Sequence, residues 1–241
     1  MTLPFSRFRL WTDPKERLSP ARTDEGDGGG ERLSGGRVVV LAGPSGAGKS
    51  RLAARLHAAY AWPVVRLDDF YRDGADPALP MVSLGGTRIA DWDDPRSWDA
   101  DAAVDALRRL VTSGRSEVPT YDLARSAAVG SRLVEAPQGS MVLAEGIFAA
   151  EVVQRLRDGG LLHSAWCVHH GRWVTFGRRL VRDLAERRKP PAVLLRRGLA
   201  LCRDEPAVVA RMERLGARPA TPTEVERALR PVSRAGRRGP C

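Results

Sequence analysis

The chain has 241 residues, 43% of them hydrophobic, enough to fill one large or two small cores, which excludes wholesale disorder. Its 24 glycines and 17 prolines follow no repeating triplet, and Cys167, Cys202 and Cys241 lack the spacing of a zinc site or a disulfide framework. The formal net charge of +10 is confined to the last third, since residues 1–170 sum to −1 and residues 171–241 to +11. Such a region could attract RNA, membrane phosphates or a nucleotide polyphosphate, and charge alone does not choose among them.

The N-terminus has no apolar signal core, and the longest uncharged stretch, Gly159 to Gly171, is too short and polar to span a bilayer. A soluble, cytoplasmic protein with no membrane partner is expected. Residues 1–36 end in the charged, glycine-dense runs Asp24–Glu31 and Ser34–Gly36, which predicts a flexible tail and linker. The apolar run from Arg37 to Ala42 predicts a buried parallel strand, followed by a glycine-rich turn and a helix from Lys49 to Ala61. Val64–Leu67 predicts a second strand ending at Asp68. Asp99–Ser113 places Val104, Leu107, Leu110 and Val111 on one helical face.

Val118–Tyr121 and Ser131–Glu135 read as the arms of a β-hairpin. Met141–Ala144 predicts a third strand ending at Glu145, Ala149–Arg157 a helix, and Ser164–His169 a fourth strand. From Trp173 to Arg188 the chain reads as an amphipathic helix with Arg179, Arg182 and Glu186 on its polar face. No fifth strand stands out. The alternation predicts an α/β fold with a mainly parallel sheet, with a domain over residues 37–230 and a basic tail over 231–241.

Gly43-Pro44-Ser45-Gly46-Ala47-Gly48-Lys49-Ser50 fits the P-loop pattern between a strand and a helix. Such a loop turns backbone N–H groups onto phosphate oxygens at a helix N-terminus, Lys49 reaches the β- and γ-phosphates of ATP, and the Ser50 hydroxyl holds Mg²⁺. The plainer alternative is a structural glycine turn. Asp68 and Asp69, at the end of the second strand, stand where open α/β sheets place ligand contacts. A carboxylate there could accept the proton of an attacking hydroxyl, or the two could be a solvated pair. Glu145 stands where a second Mg²⁺-ordering acid would sit, or it begins a helix-cap turn.

With Asp68–Tyr71, Asp91–Asp99, Pro119–Asp122, Leu143–Ile147 and Arg178–Arg187 following the P-loop in order, residues 37 to about 190 resemble the uridine kinase and phosphoribulokinase family. The resemblance implies a P-loop three-layer sandwich with an acceptor hairpin and a helical lid over residues 173–190. It further implies that Asp68 is the catalytic base, that Asp93, Tyr71, Tyr121 and Arg125 serve the acceptor, and that Glu145 orders Mg²⁺. Arg179, Arg182 and Arg187 then close over ATP. Two arginines three apart can converge on one polyphosphate, although an ordinary surface helix has the same pattern. Where the family has a histidine that contacts the pyrimidine, this chain reads Tyr121-Asp-Leu-Ala-Arg-Ser126.

His169 and His170, at a strand end, are open to substrate or purely structural roles. Trp92 and Trp98, inside the acceptor segment, could stack on a base or anchor a core. Residues 216–225 are similar to the adenine-holding loop of nucleoside monophosphate kinases, or form a plain helix-initiating turn, with Thr223 as the cap of a last helix. The expected activity is transfer of the ATP γ-phosphate to a small-molecule hydroxyl, the 5′-OH of a nucleoside such as uridine or cytidine. A pantothenate-like or sugar-phosphate acceptor is the alternative within enzymes. An RNA-binding ATP switch is the alternative outside them, although no nucleic-acid partner is expected; a homo-oligomer is left open.

Overall fold

The computed structural model describes residues 37–84, 87–169, 203 and 205–236. The expected tail over 1–36, His170, the lid helix and its Arg179, Arg182 and Arg187 lie outside the described residues.

Val38–Ala42 forms β1, five apolar residues with no exposed surface. A strand apolar on both faces must be covered on both, and the side chains of β1 divide accordingly. Val38, Val40 and Ala42 enter one core, Val39 and Leu41 the other. Helix α1 (Lys49–Tyr60) covers the second face with Leu52, Ala53 and Leu56. The chain returns as β2 (Val64–Arg66), and a 3₁₀ turn over Leu67–Phe70 carries Asp68 and Asp69.

Two short strands, β3 (Met81–Leu84) and β4 (Thr87–Ala90), then pair antiparallel. The sequence reading had no element there, although Gly85-Gly86 between two short apolar segments is a hairpin signal. Helix α2 (Ala100–Ser113) starts where Asp99 accepts the Ala102 N–H at 2.9 Å and stops at Gly114, which has a left-handed φ of 75°. Its apolar face is the predicted one, with Leu107 and Leu110 fully buried; such burial contributes roughly 1.5–3 kcal/mol for each large side chain.

The hairpin consists of β5 (Arg115–Asp122) and β6 (Ala127–Glu135), joined by residues 123–126. Its arms are longer than expected because most of its outer face is polar and exposed, so only Ser116, Val118 and Val134 carry an inward signal. The ladder slips between Thr120 and Tyr121, where Gly130 and then Ala128 are the partners; such a bulge re-aims the side chains beside it.

Strand β7 (Val142–Glu145), a 3₁₀ turn (Ala149–Val152), α3 (Val153–Asp158) and β8 (Leu162–Val168) follow. Residues 205–214 form helix α4. Strand β9 (Arg218–Ala220) leads into α5 (Pro222–Gly236), which continues past residue 230, where the sequence reading ends the domain.

The main sheet has the order β2-β7-β1-β8-β9, and every pairing is parallel. One face packs on α1 and α5, the other on α2, α3 and α4. This is the predicted three-layer sandwich of the P-loop type, with five helices among the described residues.

Two details of the sequence reading are corrected. The segment read as an adenine-holding loop contains β9, which pairs Arg218–Ala220 with Trp166–Val168; Pro219 and a length of three residues hid it. Its helix is capped by Thr221 rather than Thr223. Glu224 Oε2 accepts from the Thr221 backbone N–H at 2.7 Å, and the Glu224 N–H reaches Thr221 Oγ1 at 3.4 Å, a reciprocal capping box ahead of Pro222.

Candidate active site

Parallel strands all deliver their C-termini to the same edge of a sheet, so β1, β2 and β7 bring the P-loop, Asp68 and Glu145 together there. Gly43 leaves β1 with a φ of 147°, and a Cβ on it would lie 2.3 Å from the Val168 carbonyl oxygen. Only glycine fits between β1 and β8 at this point. Helix α1 opens at Gly48 with no side-chain cap and no acid in its first turn, leaving its N–H groups for an anion.

Lys49 is buried, and its Nζ donates to the carbonyls of Gly43 and Pro44 at 2.9 and 3.2 Å, so its charge is held across the loop. The Ser50 hydroxyl lies 3.1 Å from both carboxylate oxygens of Glu145. A hydroxyl beside a buried carboxylate is a hard-oxygen donor pair, which suits a Mg²⁺ ion that takes its remaining ligands from phosphate and water. Among the described residues no cluster of three acids, histidines or cysteines could form an all-protein metal cage. Burial raises the Glu145 carboxyl above the ordinary range; Lys49 partly offsets this and Asp68 adds to it.

The two neighbouring aspartates face different ways. Asp68 Oδ1 accepts from the Ile147 N–H at 2.9 Å, which aims this carboxylate at the turn after β7. Gly146 permits that approach, because a Cβ there would come within 2.7 Å of the same oxygen. Asp69 is 4% exposed and turns toward the hairpin. The adjacent pattern in sequence does not show this division, which follows from the 3₁₀ turn rotating successive side chains by about a third of a circle.

Next to Asp68 stands an aromatic wall. The Tyr71 ring lies 5.8 Å from Trp92, 5.7 Å from Tyr121 and 5.9 Å from Phe148. Burial first, then the charges of Asp68 and Asp93, push the Tyr71 phenol far above its ordinary value. Tyr121 Oη donates to the Arg72 carbonyl at 3.0 Å. Trp98 is an anchor, buried with its Nε1 on the Leu67 carbonyl at 2.5 Å. Trp92, edge-on to Tyr71, is the tryptophan at the wall itself.

Asp68, Tyr71, Asp93 and Tyr121 thus gather in one group, and Lys49, Ser50 and Glu145 form a second at the P-loop, with Asp68 and Glu145 close enough for their charges to interact. Arg125 sits in the turn of the hairpin, exposed and 3.6 Å from Asp122. His169 follows β8, its backbone N–H on the Ala220 carbonyl at 3.1 Å. Sequence reasoning passed over Gly146 and the burial of Asp69; Glu-Gly directly after a strand was the available signal for the first, and nothing local signals the second.

Residues 38–191 match the "Phosphoribulokinase / Uridine kinase family". The chain is 31% identical over 161 residues to "Inorganic pyrophosphatase TTM1" of Arabidopsis thaliana, covering 66% of this chain and 22% of that protein. It is 27% identical over 154 residues to "Uridine kinase" of Saccharomyces cerevisiae, covering 62% and 29%. The chain therefore spans under a third of the length of these relatives. A candidate fructose transport system kinase from Silicibacter sp. TM1040 shares the fold, with a TM-score of 0.53 at 20% identity over 78% of this chain and 88% of that one. With most of the sheet and the whole P-loop inside the matched segment, the chain belongs to the phosphoribulokinase and uridine kinase family.

Proposed function

We propose that this protein is an ATP-dependent kinase that transfers the γ-phosphate to a hydroxyl of a small molecule, with a nucleoside such as uridine or cytidine as the acceptor. The observation that carries the reading is that Asp68 lies near both Glu145, which meets the P-loop Ser50, and Tyr71, whose ring groups with Trp92 and Tyr121. The P-loop from Gly43 to Ser50 holds the phosphates and Lys49 neutralises charge on the transferred group. Ser50 and Glu145 would hold Mg²⁺, which would supply positive charge against that developing on the phosphates. Asp68 takes the proton of the attacking hydroxyl as the new O–P bond forms and ADP leaves.

Asp93 serves the ribose hydroxyls, and Tyr71 and Tyr121 line the ring, with Arg125 closing from the hairpin turn. Arg179, Arg182 and Arg187 take the lid role that the family resemblance implies. The reading is of a cytoplasmic kinase domain that starts at residue 37 and includes the whole of α5, to Gly236.

The test is ADP release from Mg-ATP with a panel of nucleosides, sugar phosphates and pantothenate-like alcohols. Release that depends on uridine or cytidine is the expected result, and Asp68→Asn should lower kcat by about two to four orders of magnitude with ATP still bound. Dependence on another alcohol moves the acceptor assignment. Phosphate release without any acceptor replaces transfer by hydrolysis, the activity in the name of the Arabidopsis relative.

A further inference from the structure

Asp69 is the least expected group near the site. It is 4% exposed, and the guanidiniums its carboxylate faces lie outside the P-loop. Arg66 Nη2 on β2 lies 4.0 Å from Oδ1, and Arg132 Nη2 on β6 lies 3.9 Å from Oδ2, so each oxygen faces one guanidinium. The backbone N–H of Tyr121, on β5, also donates toward the carboxylate. Burial nevertheless raises its carboxyl above the ordinary range, against the pull of Arg66, Tyr121 and Arg132.

A buried carboxylate that loses its partners is costly, so the groups that reach it are held in place. Two of these groups, Tyr121 on β5 and Arg132 on β6, come from the two arms of the hairpin, and Tyr121 lies at the point where the ladder slips. Two other ties join the same pieces: Tyr121 Oη to the Arg72 carbonyl at 3.0 Å, and the Gly74 N–H to the Ser126 carbonyl at 2.6 Å. Those bonds fasten the hairpin to the loop after the 3₁₀ turn. Asp69 fastens it to the turn itself, beside Asp68.

We infer that Asp69 is a positioning residue that sets the register of the hairpin against Asp68, and so holds the acceptor wall at a fixed distance from the group that receives the proton. The inference rests on the kinase reading above for its catalytic consequence, but not for its structural part. Shifting the wall by even an ångström misplaces the attacking hydroxyl, which costs about a hundredfold in such geometries. On that reading ATP binds at the P-loop, to which none of these Asp69 partners belongs.

Two variants test this, Asp69→Asn and Arg132→Gln, each read by hydrogen exchange over residues 115–135 without any acceptor and by Michaelis constants for uridine and Mg-ATP. Both variants should exchange faster in the hairpin with β1 and β7 unchanged. The kcat/KM for uridine should fall about a hundredfold, with the KM for uridine raised, while the KM for ATP stays constant. Unchanged hairpin exchange in the folded variants, or an ATP KM that rises as much as that of uridine, overturns the inference. If Asp69→Asn fails to fold, Arg132→Gln decides, since its side chain is 40% exposed. If the wild type does not phosphorylate uridine, the nucleoside assignment fails and the exchange measurement alone decides whether Asp69 holds the hairpin.

Discussion

Tyr71 shows how much of a residue's chemistry depends on neighbours that are remote in sequence. Its phenol is buried beside Asp68 and Asp93, and burial and like charge both favour the neutral form. In the unfolded chain the phenol ionises near its ordinary value of 10.0. A raised native value means that this group's contribution to stability is complete below that pH and is lost as the pH rises through it. Tyr71→Phe should therefore narrow the fall in thermal midpoint between about pH 9 and about pH 11, as followed by circular dichroism. An identical alkaline fall in wild type and variant would remove the buried phenol from the account. The P-loop turn between β1 and α1 was legible in the sequence because its spacing is local. The contrast between Asp68 and Asp69 was not, since it depends on which carboxylate meets Ile147 and which meets the hairpin.

At the scale of elements, boundaries follow capping chemistry where it is strong. Asp99 and Gly114 delimit α2 close to the predicted residues, while α5 begins at a box that the sequence reading set two residues too late. Thr221→Ala should remove the side-chain half of that box and cost about 1 kcal/mol, a fall in thermal midpoint of about 2–4 °C for a chain of this size. Thr221→Ser should retain most of it. Equal midpoints for the alanine variant and wild type, by calorimetry, would show that Pro222 and Glu224 suffice to start the helix. Strand β9 and the β3–β4 pair escaped the sequence reading for a related reason. Strands of three or four residues, one containing proline, are held by their partners rather than by their own periodicity.

For the whole molecule, the two cores on either side of the sheet explain why ligand binding and folding should be linked. The P-loop is the turn between β1, at the centre of the sheet, and α1, whose Leu52 and Leu56 anchor one core. A ligand on that turn binds only the folded chain, so Mg-ATP at a hundredfold over its Kd should add about 2.7 kcal/mol. That corresponds to about 5–10 °C in thermal midpoint. Lys49→Ala should fold and lose most of the shift; a full shift in this variant would place the nucleotide elsewhere. What the sequence determined by itself was the local part: an apolar strand, a phosphate loop, an amphipathic α2, and carboxylates at strand ends, each set by neighbours within a few residues. What only the tertiary structure decided was the order β2-β7-β1-β8-β9, the burial of Asp69, and the meeting of Tyr71, Trp92 and Tyr121 beside Asp68. Those features arise from pairings between segments far apart in the chain, where the free energy comes from surfaces buried together and leaves no period in either segment alone.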